Sequence, residues 1–99
     1  MELVDKIKQR LGIAAAVTVY DNELNDLIEH AKSDLRLSGV SEDMISAEPP
    51  EIINTIVFFV KYVFSDDYKE SVRFGEMYQK SVFRLSTKSW DGDSDENIN

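Results

Sequence analysis

The sequence predicts an all-α fold, a small bundle of about four helices packed around one buried helix. Three observations carry that prediction. Residues 51–64, EIINTIVFFVKYVF, are apolar at ten of their last thirteen positions. Residues 24–35 repeat apolar side chains at i, i+3, i+4, i+7 and i+11, the spacing of one helical face. A third amphipathic stretch with the same period runs from about residue 68 to about residue 88.

The central helix needs the most justification, because its Val, Ile and Phe residues also suit strands. Its polar members decide the matter. Asn54 and Lys61 are seven apart and Ser65 follows Lys61 by four, so at about 100° per residue they fall on one narrow stripe, with Thr55 as the other polar member. Pro49 and Pro50 pre-set the φ of a first helical turn and stop any helix arriving from upstream. The pattern predicts a helix over about 51–64, sheathed on all but one edge, with Ile53, Ile56, Val57, Val60 and Phe64 in the core. About 14 helical residues span about 21 Å, short of the roughly 30 Å hydrocarbon core of a bilayer, and Lys61 interrupts the run. No membrane span is expected.

The other elements follow in order. Leu3, Val4, Ile7 and Leu11 stand at helical spacing with Lys6, Lys8 and Arg10 elsewhere, and Gly12 ends this short first helix. Residues 13–20, IAAAVTVY, contain no breaker and leave two readings open, a brief extended segment or a loop packed on the core. Asp21 is placed as N-cap of the second helix, whose core residues are Leu24, Leu27, Ile28, Ala31 and Leu35. Gly39 ends it at C′, with Leu35 and Val40 positioned for the apolar contact that accompanies such a stop. Ser41 to Ala47 add one capped turn with Met44 and Ile45 pointing inward. After the central helix, Ser65-Asp66-Asp67 forms a turn, and Asp67 with Glu70 has the form of a capping box. The last helix, from about Tyr68 to about Lys88, turns Phe74, Met77, Tyr78, Ser81, Val82 and Leu85 toward the core. Residues 1–90 read as a single domain. Residues 91–99 read as an acidic tail, disordered unless a partner orders it.

Composition narrows the function. The 99 residues give room for one domain, and the absence of cysteine removes disulfides and thiolate metal sites, which fits a reducing compartment. The N-terminus MELVDKIKQR lacks the uninterrupted apolar run of a signal peptide, so a cytoplasmic product is expected. A net charge of −8 argues against a surface that grips nucleic acid throughout. Asp91, Asp93, Asp95 and Glu96 lie in the last nine positions with no basic residue, so residues 1–90 account for only half of that charge.

Catalytic and metal constellations have little support. Asp91, Asp93 and Asp95 alternate like the opening of an EF-hand loop, but the sixth position is Glu96 where Gly is required, and the sequence has no twelfth position. Asp26, His30 and Asp34 stand four apart on one side of the second helix, a spacing that suits a shared cation. That side is opposite the apolar stripe, no fourth ligand is in view, and an exposed polar face accounts for it. His30 is the only histidine and hence the only obvious general base, with no cysteine or Gly-flanked serine as its nucleophile. No enzymatic activity, cofactor or metal is expected.

The last helix is more informative. Lys69, Arg73, Lys80, Arg84 and Lys88 fall within about a 100° sector beside its core stripe, and Val72, Phe83 and Trp90 lie roughly opposite the core. A solvated face with Glu76 paired to Lys80 is the plain reading. A small helical DNA-binding or regulatory module using the basic stripe is the alternative. The apolar back face beside a one-sign stripe points instead to a subunit interface, with Glu23, Asp26 and Asp34 of the second helix as a facing set of opposite sign. Unlike surfaces on one molecule suit head-to-tail association, which closes into rings.

The order of elements resembles the small head–tail connector (head completion or adaptor) proteins of long-tailed double-stranded DNA phages. The likeness runs through V-x-x-I-K-x-x-L-x-I at Val4 to Ile13 and D-x-E-L-x-x-L-I-x-x-A at Asp21 to Ala31. It continues through Gly39, P-x-I-x-x-x-I-V-x-x-V-K-Y-V-F at Pro50 to Phe64, and Phe74 with Tyr78, about residues 3–88 in all. Val60-Lys61-Tyr62 is its most telling part. The resemblance implies a structural virion protein without enzymatic activity, made in the host bacterial cytoplasm. Such a protein assembles as a ring of about a dozen copies on the portal, extends the DNA channel, and offers a platform to neighbouring connector or tail proteins. DNA then passes through without being tightly bound. The Ser65-Asp66-Asp67 turn and the acidic tail depart from the family pattern.

Overall fold

The proline pair starts the central helix as its chemistry requires. In the computed structural model, which describes residues 2–88, the carbonyl of Pro49 accepts the backbone N–H groups of Ile52 and Ile53 at 2.9 and 3.1 Å. Five helices are formed: α1 (Leu3–Leu11), α2 (Asp21–Leu37), α3 (Glu42–Ala47), α4 (Pro50–Phe64) and α5 (Tyr68–Ser86). Among the described residues there is no strand, and the fold is an all-α bundle with α4 at its centre. Helix α4 packs against α1, α2 and most extensively α5. Trp90 and the acidic residues 91–99 lie outside the described residues.

The burial pattern follows the helical period. Leu24, Ile28, Ala31, Leu35, Ile56, Val57, Val60, Tyr78 and Leu85 are buried, while Leu27, Ile53 and Phe64 are half-buried and pack on that core. Phe74 and Met77 are only half-buried, so the core-facing side of α5 is narrower than its apolar pattern suggests. Phe74 instead stacks on Phe58 of α4, with ring centroids 6.4 Å apart. Ile7, Val40, Met44, Ile45, Ile52 and Phe59 complete the buried set.

The polar stripe of α4 is its least covered edge: Glu51, Asn54, Phe58, Lys61 and Ser65 are half-buried at helical spacing, while Ile52, Thr55, Ile56, Val57, Phe59 and Val60 are buried. Thr55 is buried and its hydroxyl donates to the carbonyl of Glu51, 2.8 Å away, which removes its need for water. Asn54 and Lys61 are half-buried, and Asn54 accepts a 2.7 Å bond from Arg10 of α1. Solvent reaches α4 at its last turn, where Tyr62 and Val63 are exposed.

Local stop signals act as their chemistry predicts. At the end of α2, Gly39 takes φ +97°, Val40 N–H bonds Leu35 O at 2.9 Å and Gly39 N–H bonds Arg36 O at 3.1 Å, a complete Schellman closure with Leu35 and Val40 both buried. Ser41 caps α3 through Met44 N–H at 3.1 Å. At the start of α5, Asp67 accepts from Lys69 N–H at 2.9 Å. Glu70 does not close the capping box, because its carboxylate pairs with Arg73 at 2.9 Å. Helix α5 ends at Ser86, where the Thr87 hydroxyl turns back to Arg84 O.

Two residues of the first helices behave otherwise than their spacing suggests. Lys8 sits on the polar side of α1 by pattern yet is only 1% exposed. Its ammonium donates to the carbonyl of Ala15 at 3.1 Å and to Asp21 Oδ1 at 2.9 Å. Asp21 is accordingly the first residue of α2 and not its cap, its carboxylate being committed to Lys8. These bonds resolve residues 13–20 as a loop, pinned at Ala15 and closed by turns from Val17 N–H to Ala14 O and from Asp21 N–H to Thr18 O. Replacing Lys8 by Met leaves the Ala15 carbonyl and the half-buried Asp21 without this partner. Urea unfolding of Lys8→Met is expected to show a loss of about 1–3 kcal/mol, with faster amide exchange at Val17 and Asp21 than in the parent.

Candidate interaction surfaces

Helix α5 presents its charged residues to solvent because its single apolar stripe is taken up by α4. Lys69, Arg73, Lys80, Arg84 and Lys88 are all exposed, as are Val72 and Phe83, the latter at 70%. Tyr68, 81% exposed, belongs to the same flank and carried no warning in the sequence, since a tyrosine at a helix start reads equally well as a cap neighbour. The basic residues are not equivalent. Arg73 pairs with Glu70, and its guanidinium lies 4.7 Å from the centroid of Phe74, whose ring also receives the Lys61 ammonium at 5.1 Å. Lys88 reaches Glu51 of α4 at 3.3 Å. Glu51 is held below the usual carboxylate range, first by a backbone N–H of its own helix start and then by Lys88. Lys69, Lys80 and Arg84 have no ion pair among the described residues, and the pairing of Glu76 with Lys80 does not form.

On α2, Glu23 and Asp26 are exposed and His30 stacks on Phe59 with centroids 5.1 Å apart. Asp34 is different from the other two acids. It is half-buried and its Oδ2 accepts a 2.9 Å bond from the hydroxyl of Tyr78, a residue only 4% exposed on α5. Asp34 therefore joins α2 to α5 inside the molecule instead of offering a free charge to a neighbour. The Tyr78 hydroxyl is pushed well above its ordinary range, mainly by burial and then by Asp34 as acceptor and as charge. Among the described residues no group of three or more His, Cys, Asp or Glu side chains is gathered as metal ligands, so Asp26, His30 and Asp34 are not brought to one point.

Two surface features lie outside what spacing alone can reveal. A groove of about 510 Å³ opens between α2, α4 and α5, lined by Phe59, Tyr62, Val72, Gly75 and Tyr78 with Asp34 and Lys80 among its polar members. Gly75 shapes its floor: a Cβ at that position would sit 3.0 Å from the Tyr62 ring, so the absence of a side chain lets that ring lie directly against α5. The second feature is the loop between α1 and α2, which exposes Val17, Val19 and Tyr20, with Tyr20 meeting Phe64 edge-on at 6.1 Å.

The class defined by these features is a small all-α protein that exposes basic and apolar side chains together on α5 and acidic ones on α2. The chain matches the family described as Phage connector protein over residues 3–91, and it belongs to that family. No curated protein and no solved structure matches it. The family is structural, and membership makes the chain a component of the phage head–tail connection, associated in the virion with portal and tail proteins. Among the described residues no helix is long and apolar enough to cross a membrane.

The Tyr78–Asp34 bond gives a pH signature. An unfolded tyrosine ionises near its ordinary value of 10.0, whereas the folded state retains the proton above that. The native state then binds more protons than the unfolded state, so stability falls as pH rises past 10.0. Tyr78→Phe is expected to lose about 1–2 kcal/mol at neutral pH. Its stability should also decline less steeply than wild type above pH 10.0, by up to about 1.4 kcal/mol per pH unit, in urea titrations at graded alkaline pH.

Proposed function

We propose that the protein is a subunit of a ring adaptor of about a dozen copies that docks on the portal, joins phage head to tail and extends the DNA channel. The observation that carries this reading is the exposed flank of α5, in which Phe83 and Val72 lie in the open beside Lys69, Lys80 and Arg84, on a member of a connector family. An exposed phenylalanine beside uncompensated charge of one sign is what an interface supplies before its partner arrives. Glu23 and Asp26 of α2 supply the opposite sign for a neighbouring copy, so each copy uses two different faces and association runs head to tail. Residues 1–90 act as the ring-forming domain and residues 91–99, with Trp90 beside them, as an appended acidic segment.

The charge balance supports a conduit. A net charge of −8 repels phosphates at short range, and salt screens it beyond about 8–10 Å, so DNA passes without being held. The competing reading, a helical DNA-binding module on the same basic stripe, is weakened by the engagement of Arg73 with Glu70 and of Lys88 with Glu51. A gel shift at low salt that disappears when Arg73 and Arg84 become Ala would favour it.

Light scattering after size exclusion, together with electron microscopy of the protein mixed with portal, tests the ring. A strict monomer that never decorates portal assemblies overturns it. Phe83→Asp is expected to keep the helical circular dichroism of wild type and to abolish assembly, since Phe83 is exposed and its replacement leaves the core intact. Loss of the folded signal would instead make Phe83 a stabilising residue and remove α5 as the interface.

A further inference from the structure

We infer that the loop between α1 and α2 of one copy is the plug for the groove between α2, α4 and α5 of the next. This rests on the ring reading above and deepens it by naming the contact. Residues 11–20, LGIAAAVTVY, carry no charge in a chain that is 30% charged, and Val17, Val19 and Tyr20 stand exposed, Val19 at 76%. Solvated loops are usually rich in polar turn formers. This one is apolar and also held in place, by the buried Lys8 ammonium at Ala15, by two backbone turns, and by Tyr20 against Phe64. A pre-shaped apolar loop loses little conformational freedom on docking.

The groove matches it in chemistry. Phe59, Tyr62, Tyr78 and Val72 give it aromatic and aliphatic walls, and the missing side chain of Gly75 keeps Tyr62 laid against α5. The charges beside the two features are complementary. Glu23 shares a surface hollow with Tyr20, and Asp26 follows on α2, both exposed. Lys80 lines the groove, and Lys69, eleven residues earlier on α5, falls about 20° from it around the helix. Direction is set by α4. Tyr62 lines the groove and Phe64 supports the loop, and two residues along a helix put side chains about 200° apart. Plug and socket thus face away from each other, so a copy cannot fill its own groove, and pairing runs from one copy to the next in a single direction, as a closed ring needs.

The chain contains no cysteine, which makes the contact directly trappable. Val19→Cys and Gln79→Cys each replace an exposed side chain, one on the plug and one lining the socket. Under mild copper–phenanthroline oxidation in the presence of portal, the double variant is expected to give a ladder of covalent oligomers on a non-reducing gel. Each single variant alone should remain monomeric, and an equimolar mixture of the two should stop at dimer. A double variant that yields no ladder, while wild type assembles on portal by light scattering, overturns the plug and leaves the ring standing, with the groove taken by another protein. Disulfide dimers of the Val19→Cys protein alone overturn it in favour of a symmetric contact. If wild type fails to assemble at all, the ring and the plug fall together.

Discussion

Helix α4 is apolar around most of its circumference, and removing that surface from water is the constraint to which the remaining helices answer. A helix of this kind cannot be satisfied by one partner. It recruits α1, α2 and α5, and each of them commits its single apolar stripe inward. The chain has no further helix among the described residues to cover the outer faces of these three, so charged and apolar side chains on their far sides stay in solvent. The surfaces assigned to the proposed ring contacts are therefore a by-product of sheathing one rod with few helices.

Two polar links fix how the sheath is arranged. Lys8 ties α1 to the start of α2 and to the loop between them, and Tyr78 ties α5 to α2 through Asp34. Both place a buried donor against an acceptor on another element, where its loss is costly because water cannot readily replace it. They also act on orientation. Apolar packing tolerates some sliding of helices, whereas a 2.9 Å bond to one oxygen does not. The loop and the groove are held in shape by these links, the first directly and the second through the Tyr78 ring that lines it.

What could be read from the sequence divides along the same line. Signals that act within a few residues were legible: Gly39 closing α2, Ser41 capping α3, the proline pair opening α4, and the apolar period of α2 and α4. Asp21 and Lys8 were misplaced because each looked complete locally, one as a cap and the other as an exposed helix lysine, while the bond joining them spans thirteen residues. The Asn54 and Lys61 stripe is the partly open edge that its period predicts, and only the bond from Arg10 of α1 to Asn54 lies beyond what spacing can foresee. For the interaction surfaces, the basic stripe and Phe83 were legible as an angular pattern on α5. The commitment of Asp34 to Tyr78 and the groove beside Gly75 were not, since both arise only when α5 crosses its neighbours at a particular distance.

A ring of the kind proposed must avoid polymerising before its subunits reach the portal. Copies that each carry −8 repel one another at long range, but at cellular ionic strength that repulsion is screened beyond about 8 Å, so in the proposed contact the local match of Lys69 and Lys80 with Glu23 and Asp26 governs close approach. Exposed pairs of this kind contribute about 0–1 kcal/mol each, and one apolar plug adds only the burial of a few side chains. A single contact is then too weak to outlast the entropy lost on association. Ring closure changes the balance, because the last subunit makes two contacts for one loss of freedom and a portal surface raises the local concentration of all of them. Weak, directional faces on a small acidic bundle therefore suit a protein that stays dispersed alone and assembles on a template.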